Sequence, residues 1–174
     1  LSVAAQGVGV AEAALQHALT YAMDRKQGAT PLAGEGGIID HADVRRMLTT
    51  ARAEVFAARS IALSCAVAID MATATGSPEW QARAALLTPI AKAYGTDVAC
   101  EVAHTGVQIH GGMGFIEETG AAQYLRDARI LPIYEGTNGI QAMDLVGRKL
   151  ADGGEAAFRL IDEVQRGAEA ARAT

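Results

Sequence analysis

Glu135 is the acidic residue whose surroundings best suit proton transfer. It follows the bulky apolar run of residues 130–134 and precedes Gly136, just ahead of a helix expected to start at Thr137. Burial against apolar neighbours raises the pKa of a carboxyl group, whereas the positive end of a following helix lowers it. A carboxylate under both influences is suited to act as a general base. The pattern leaves open an ordinary solvated loop glutamate, because most glutamates in proteins are exposed.

A glycine-rich segment at residues 110–114 is a second candidate for ligand contact. Its three glycines, Gly111, Gly112 and Gly114, would let the backbone approach a phosphate group closely. The segment follows a helical pattern and not a strand, so it does not meet the dinucleotide-binding fingerprint. A turn that simply ends a helix is the alternative.

The remaining reactive side chains carry weaker signals. Arg25 ends the first predicted helix, where a cation suits the negative end of the helix dipole. Histidines 17, 41, 104 and 110 do not form a metal-ligand pattern, and only His110 adjoins a candidate segment. Cys65 and Cys100 lie far apart without a CxxC motif, so we expect two buried free thiols and no metal site.

The elements that must position these residues are predicted to be helices. Aromatic residues are only 5% of the chain, and no segment shows the period-two alternation of a strand. We therefore expect an all-α fold, an up-down four-helix bundle with a short extra helix and a charged C-terminal helix. The predicted helices cover residues 2–26, 40–75, 78–109, 117–129, 137–150 and 155–174.

Local signals mark the ends of these elements. Asp40 is a candidate cap for the second helix, Gly76 ends it, and Ser77 with Pro78 begins the third. Pro89 falls inside the third helix and predicts a kink or break near Thr88. Three connecting segments are expected to be non-helical: a loop at 28–37, a glycine loop at 110–114 and an extended stretch at 130–136.

Composition excludes several classes of function. The net charge of -5 and the absence of any Lys/Arg run argue against a nucleic-acid binder. Charges interrupt the apolar stretches before the roughly 20 residues that a membrane span needs. The N-terminus lacks the features of a signal peptide, so we expect a cytoplasmic protein without a membrane span.

Four sequence blocks together resemble the C-terminal helical domain of the flavin-dependent acyl-CoA dehydrogenases. They are residues 21–28 (YAMDRKQG), 108–115 (QIHGGMGF), 126–130 (RDARI) and 133–137 (IYEGT). The resemblance runs from residue 3 to about residue 150. The last block is highly specific when the glycine block lies about 20 residues before it, as it does here.

This resemblance implies α,β-dehydrogenation of an acyl-CoA thioester to a trans-2-enoyl-CoA, with FAD as cofactor. By resemblance, Glu135 is the base that removes the α-proton, and its backbone N–H helps to hold the thioester carbonyl. Tyr134 and Gly136 would flank it at the substrate, and Thr137 would approach the FAD of its own subunit. Residues that would reach the FAD of a neighbouring subunit are Arg25, Gln108, Gly111 and Gly112.

The same resemblance implies partners and domain organisation. A homodimer or homotetramer, an acyl-CoA substrate and an acceptor such as electron-transfer flavoprotein are expected. Residues 1–150 would form the family's C-terminal bundle, and residues 151–174 would begin the additional region of a larger subgroup. The family's N-terminal helical domain and central β-domain are not in this sequence, so we expect a fragment that is inactive alone.

Two other functions stay open at this stage. One is a catalytically silent helical module that serves oligomerisation. The other is an acyl-CoA oxidase-like relative, which would use the same bundle with oxygen as acceptor.

Overall fold

Three long helices form the body of the protein in a computed structural model that describes residues 1–30 and 36–172. They are α1 (Ser2–Asp24), α2 (Ala42–Thr75) and α3 (Pro78–His110). No strand occurs in the described residues, which confirms the all-α fold. At 1.5 Å rise per residue, the 34 residues of α2 span about 50 Å, a length typical of bundles.

The directions of the long helices follow from their contacts. Cys65 of α2 meets Thr88 of α3 across the tight turn at Gly76, so these two helices are antiparallel. The Glu12 carboxylate pairs with the Arg59 guanidinium at 2.6 Å, and Ala4 packs in one cluster with Cys65, so α1 runs antiparallel to α2. The core between them consists largely of alanine and valine, and such small side chains let the helix axes approach closely.

Shorter helices complete the bundle over α1 and α3. They are α4 (Gly112–Phe115), α5 (Ala121–Arg129), α6 (Asn138–Asp144) and α7 (Glu155–Arg172), with a π-helical turn at Leu145–Lys149 after α6. Helix α5 packs on both α1 and α3, whereas α6 and α7 pack on α3. The charged last helix is therefore present as predicted.

Two predicted boundaries of the long helices are wrong. Asp40 does not cap α2, because it belongs to a 3-10 turn at Ile38–Asp40 and His41 takes the cap position. Of the kink or break predicted near Thr88, the break does not occur, since α3 continues through Pro89. Pro89 is fully buried, and packing of the helix against α2 offsets the missing hydrogen bond.

Two predicted connections also differ. The glycine loop is a single turn at Gly111 followed at once by α4. The predicted helix at 117–129 is divided into a 3-10 turn at Glu117–Thr119 and α5, separated by Gly120 with φ +81°. Of the predicted loop at 28–37, residues 31–35 lie outside the described residues.

Cys65 and Cys100 are free thiols, but only Cys65 is buried. The Cys100 thiol donates to the Ala128 carbonyl at 3.4 Å and is partly exposed. Burial still raises the pKa of this thiol. The Arg129 cation opposes this shift, whereas the nearby acidic groups of Asp97 and Glu101 add to it.

Helix α2 carries an apolar stretch with a mean hydropathy of 1.6, of which only 22% is buried in this chain. By length and composition alone it could cross a membrane, a test that core helices of soluble proteins also pass. The helix packs along α3 and α1, and it leaves an exposed row of Phe56, Leu63 and Val67. The absence of a membrane span stays a prediction.

Candidate functional site

The segment before Glu135 is a series of tight turns and not the extended stretch that we predicted. The Ile133 and Tyr134 N–H groups both donate to the Ile130 carbonyl, at 3.0 and 3.2 Å. The Leu131 side chain is buried in the core, and this anchor folds the segment back on α5. Further along, the Asn138 N–H donates a hydrogen bond to the Pro132 carbonyl at 3.0 Å, and this bond closes a loop that contains residues 133–137.

Glu135 lies at the tip of this loop in an uncommon backbone conformation. Its φ of +55° makes it the one non-glycine residue with positive φ among the residues that the structure describes. Gly136, with φ +83°, continues the same left-handed turn. This conformation is energetically unfavourable for residues other than glycine, and such backbone strain is often found at functional sites. The Glu135 side chain is exposed in this chain. A cleft that excludes water from it would therefore need residues from outside this chain.

Both flanks of Glu135 are anchored. On one side the Tyr134 hydroxyl donates to the Gln6 side-chain oxygen of α1. On the other side Thr137 is the N-cap of α6, because its hydroxyl oxygen accepts the Ile140 N–H at 3.2 Å. This confirms the helix start predicted at Thr137.

Asn138, the first residue of α6, connects the loop to the middle of α3. Its side chain contacts Lys92, Thr96 and Asp97 of that helix. Lys92 is only 6% exposed, and burial lowers the pKa of its amine while nearby Asp97 opposes the shift. Sequence analysis did not single out this cluster. The available signal was Lys92 itself, a lysine in helical register with buried Thr96 and Ala99.

The glycine turn forms a different site with the end of α1. Gly111, with φ +60° and ψ -139°, ends α3, and Arg25 follows α1 close by. Together with Gly112 they line a groove of about 390 Å³, whose other walls are Tyr21, Gln27, Ile38, Ile109, His110 and Met113. A Cβ added at Gly111 or Gly112 would meet no atom within 4 Å, so this stretch of backbone faces open space.

Gln108 does not line this groove. Its side chain is exposed in a separate depression of about 280 Å³ between α2 and α3, beside His104, Glu101 and Glu54. The structure thus brings Arg25, Gly111 and Gly112 together within one chain. It places Gln108 on a different face of α3.

The Glu135 turn and the glycine turn are far apart in one chain. The Glu135 turn is attached to α3 at Thr96, 15 residues before Gly111, which at 1.5 Å per residue is about 22 Å along the helix. That the two groups of residues serve cofactors bound to different subunits stays a prediction.

His110 is buried beneath the groove in a stack of rings. Its ring lies between those of His17 and Tyr21, with centroid distances of 4.8 and 4.2 Å. Its Nδ1 lies 2.7 Å from the Gly106 carbonyl oxygen, so the neutral ring donates there and leaves Nε2 without a partner. Burial lowers the pKa of His110; the Gly106 carbonyl opposes this shift and His17 adds to it.

Comparison with known proteins gives one consistent answer. A family model described as "Acyl-CoA dehydrogenase, C-terminal domain" matches residues 1–150. The 3-methylmercaptopropionyl-CoA dehydrogenase of Ruegeria pomeroyi is 51% identical over 171 residues, which cover 94% of this chain and 29% of that protein. The subunit CarC of the caffeyl-CoA reductase-Etf complex of Acetobacterium woodii is 32% identical, over 86% of this chain and 36% of that protein.

A solved structure shows the same fold. The acyl-CoA dehydrogenase of Bacillus anthracis, crystallised in complex with FAD, aligns with a TM-score of 0.77 and 26% identity. The alignment covers 96% of this chain and 29% of that one. The chain therefore spans about a third of the length of the proteins that it matches.

Proposed function

Since the chain belongs to the acyl-CoA dehydrogenase family as its C-terminal domain, we propose that it supplies the catalytic base and part of the flavin site of an FAD-dependent acyl-CoA dehydrogenase. The observation that carries this proposal is the anchored turn at Tyr134–Thr137, which presents Glu135 at its tip. A carboxylate held there is free of internal ion pairs in the described residues, so it is available to a substrate.

The residues of the glycine turn fit a bound FAD. Gly111 and Gly112 leave the backbone open to close approach, and the exposed Arg25 guanidinium offers a cation to an anionic group. Arg25, Gly111 and Gly112 would hold the FAD of a neighbouring subunit, with Gln108 beside them, and Thr137 would contact that of its own subunit. When bound, FAD supplies a two-electron acceptor for the hydride that leaves the β-carbon of the substrate.

The chain's own part in the reaction is proton removal and positioning. The Glu135 carboxylate would accept the α-proton of the acyl-CoA thioester as the Cα–H bond breaks. Its backbone N–H would donate to the thioester carbonyl oxygen, where negative charge develops. Tyr134 and Gly136 would border the substrate on either side, and the Tyr134 contact with Gln6 keeps that border in place.

The partners follow from the same assignment. Two features support a homodimer or homotetramer. One is the exposed apolar row on α2, and the other is the separation of the Glu135 turn from the glycine turn within one chain. A relative that is part of an Etf complex supports an electron-transfer flavoprotein as acceptor, and we propose the same for this protein. We also propose a cytoplasmic location.

Replacement of Glu135 by glutamine tests the base directly. In the intact flavoprotein that carries this domain, E135Q should retain FAD but slow anaerobic bleaching of the flavin by acyl-CoA about 100-fold to 10,000-fold, the range that general bases contribute. Glu169→Gln, at an exposed glutamate of α7, is the matched control and should bleach as the wild type does.

Bleaching of E135Q at the wild-type rate would remove Glu135 from the role of base. A wild-type protein that assembles into oligomers but takes up no FAD would instead indicate the oligomerisation module. Rapid reoxidation of the reduced flavin by oxygen would favour the oxidase-like alternative.

A further inference from the structure

The Asn138 side chain is held between two opposite charges. Its Oδ1 accepts a hydrogen bond from the Lys92 ammonium at 2.8 Å, and its Nδ2 donates to the Asp97 carboxylate at 2.7 Å. The reversed amide would place its NH2 group against the ammonium and its oxygen against the carboxylate. The charges therefore determine one orientation, and an asparagine satisfies both ends at once.

Thr96 completes this arrangement from within the core. Its hydroxyl is 2.8 Å from the Lys92 carbonyl and 3.1 Å from the Ala93 carbonyl, so its one proton is used on its own helix. The hydroxyl oxygen then accepts from Asn138 Nδ2 at 3.0 Å. Because Thr96 is fully buried, Asn138 cannot move away without leaving buried polar groups unpaired.

The loop that carries Glu135 has few other attachments. Upstream it is tied by Tyr134 to Gln6, and downstream by Asn138 to α3. Between these ties Glu135 adopts its left-handed conformation, which an unrestrained residue would leave for the common regions of φ and ψ. The Asn138 attachment is the stronger of the two because it includes the charged and buried Lys92 and the buried Thr96, besides the exposed carboxylate of Asp97.

We propose that Lys92 and Asn138 are positioning residues, which hold the turn at Glu135 in the conformation that proton abstraction requires. The inference rests on the proposed function, since it assigns Glu135 as the base. It adds that the position of this base depends on a lysine 43 residues earlier in the chain, which does not itself touch the substrate.

Three variants separate positioning from folding. Asn138→Leu leaves the buried Lys92 amine without its acceptor, and Lys92→Met leaves the amide oxygen without its donor. The double variant K92M/N138L removes both partners, so neither is left unpaired, and it should recover most of the stability that each single variant loses.

The proposal predicts that stability and rate respond differently. In the intact flavoprotein with FAD bound, bleaching at saturating acyl-CoA should fall about 10-fold to 100-fold in both single variants and stay low in the double variant. The substrate concentration for half-maximal rate should change less than about threefold, because the base acts on the transition state and not on binding. Arg148→Gln, at an exposed residue just after α6, is the control and should match the wild type.

Hydrogen exchange tests the attachment without catalysis. The backbone amides at positions 134 and 138 are hydrogen-bonded within the loop, and both should exchange at least tenfold faster in Lys92→Met than in the wild type. Unchanged exchange would overturn the proposal whether or not the protein turns out to be a dehydrogenase.

The bleaching rates can also overturn the proposal, independently of hydrogen exchange. If the wild type bleaches and the double variant bleaches at the same rate, Lys92 and Asn138 serve stability alone. If the wild type does not bleach at all, the assignment of Glu135 as base fails and this inference fails with it.

Discussion

Gly7 of α1 allows that helix to touch the backbone of α3, and replacing it with alanine should push the two apart. A Cβ at position 7 would lie 2.5 Å from the Gly95 carbonyl oxygen and 2.8 Å from its carbon. Ordinary contact begins at 3.4 Å, so the helices must separate by about 0.9 Å, the difference of 3.4 and 2.5. The obstacle is backbone, which cannot rotate away as a side chain does.

The expected size of the effect follows from two opposing terms. Overpacking of this kind costs about 1–3 kcal/mol, whereas glycine to alanine in a helix gains about 0.5–1 kcal/mol. Gly7→Ala should therefore lower the free energy of unfolding by about 0–2.5 kcal/mol. Gly9→Ala is the matched control on the same helix, because a Cβ there meets nothing within 4 Å, and it should stabilise by about 0.5–1 kcal/mol.

Urea unfolding of the wild type, Gly7→Ala and Gly9→Ala measures their free energies of unfolding. The free energies of unfolding of the two variants should differ by about 1–3 kcal/mol, which corresponds to roughly 2–12 °C in Tm for a domain of this size. Gly95→Ala adds a control on α3, since its Cβ would lie 3.4 Å from the Ala4 oxygen and should be tolerated. Equal stability of the Gly7 and Gly9 variants would refute the reasoning from close helix contact.

Two further predictions concern the site. Thr137→Ala removes the cap of α6 and should lower the free energy of unfolding by about 1 kcal/mol, whereas Thr137→Ser keeps the capping oxygen and should lose much less; equal losses in the two would contradict the capping role. Because burial lowers the pKa of His110 below 6.5, the unfolded chain binds more protons, so stability should be full above pH 6.5 and fall as the pH drops below it. Unfolding free energies measured from pH 7.5 to 5.5 should show this slope in the wild type and a shallower one in His110→Phe; equal slopes would exclude His110 as the source.

Much of the fold could be predicted from local sequence. The stop at Gly76, the start at Ser77–Pro78 and the cap at Thr137 depend on groups within about four residues of each other, so their signals are readable in the chain. The glycines at positions 7 and 9 show the limit of such signals. Both are glycines of the same helix, but only Gly7 faces the backbone of α3.

The errors arose where distant packing overrides local preference. The apolar run at 130–134 suggested an extended segment through residue 136, yet burial of Leu131 in the core folds it into turns. Pro89 suggested a break, yet α3 continues because α2 packs beside it. Neither the core position of Leu131 nor the neighbour of Pro89 is encoded within a few residues.

The chain's sequence alone determined that the protein is helical, where several of its helices begin or end, and which motif carries the candidate base. Only the tertiary structure decided that Glu135 takes a left-handed conformation, that Asn138 reaches Lys92 across 46 positions of sequence, and that the glycine turn lies at the far end of α3. The reason is physical. Capping and periodicity act within one or two helical turns, whereas burial and the pairing of charges depend on which distant segments the folded chain brings together.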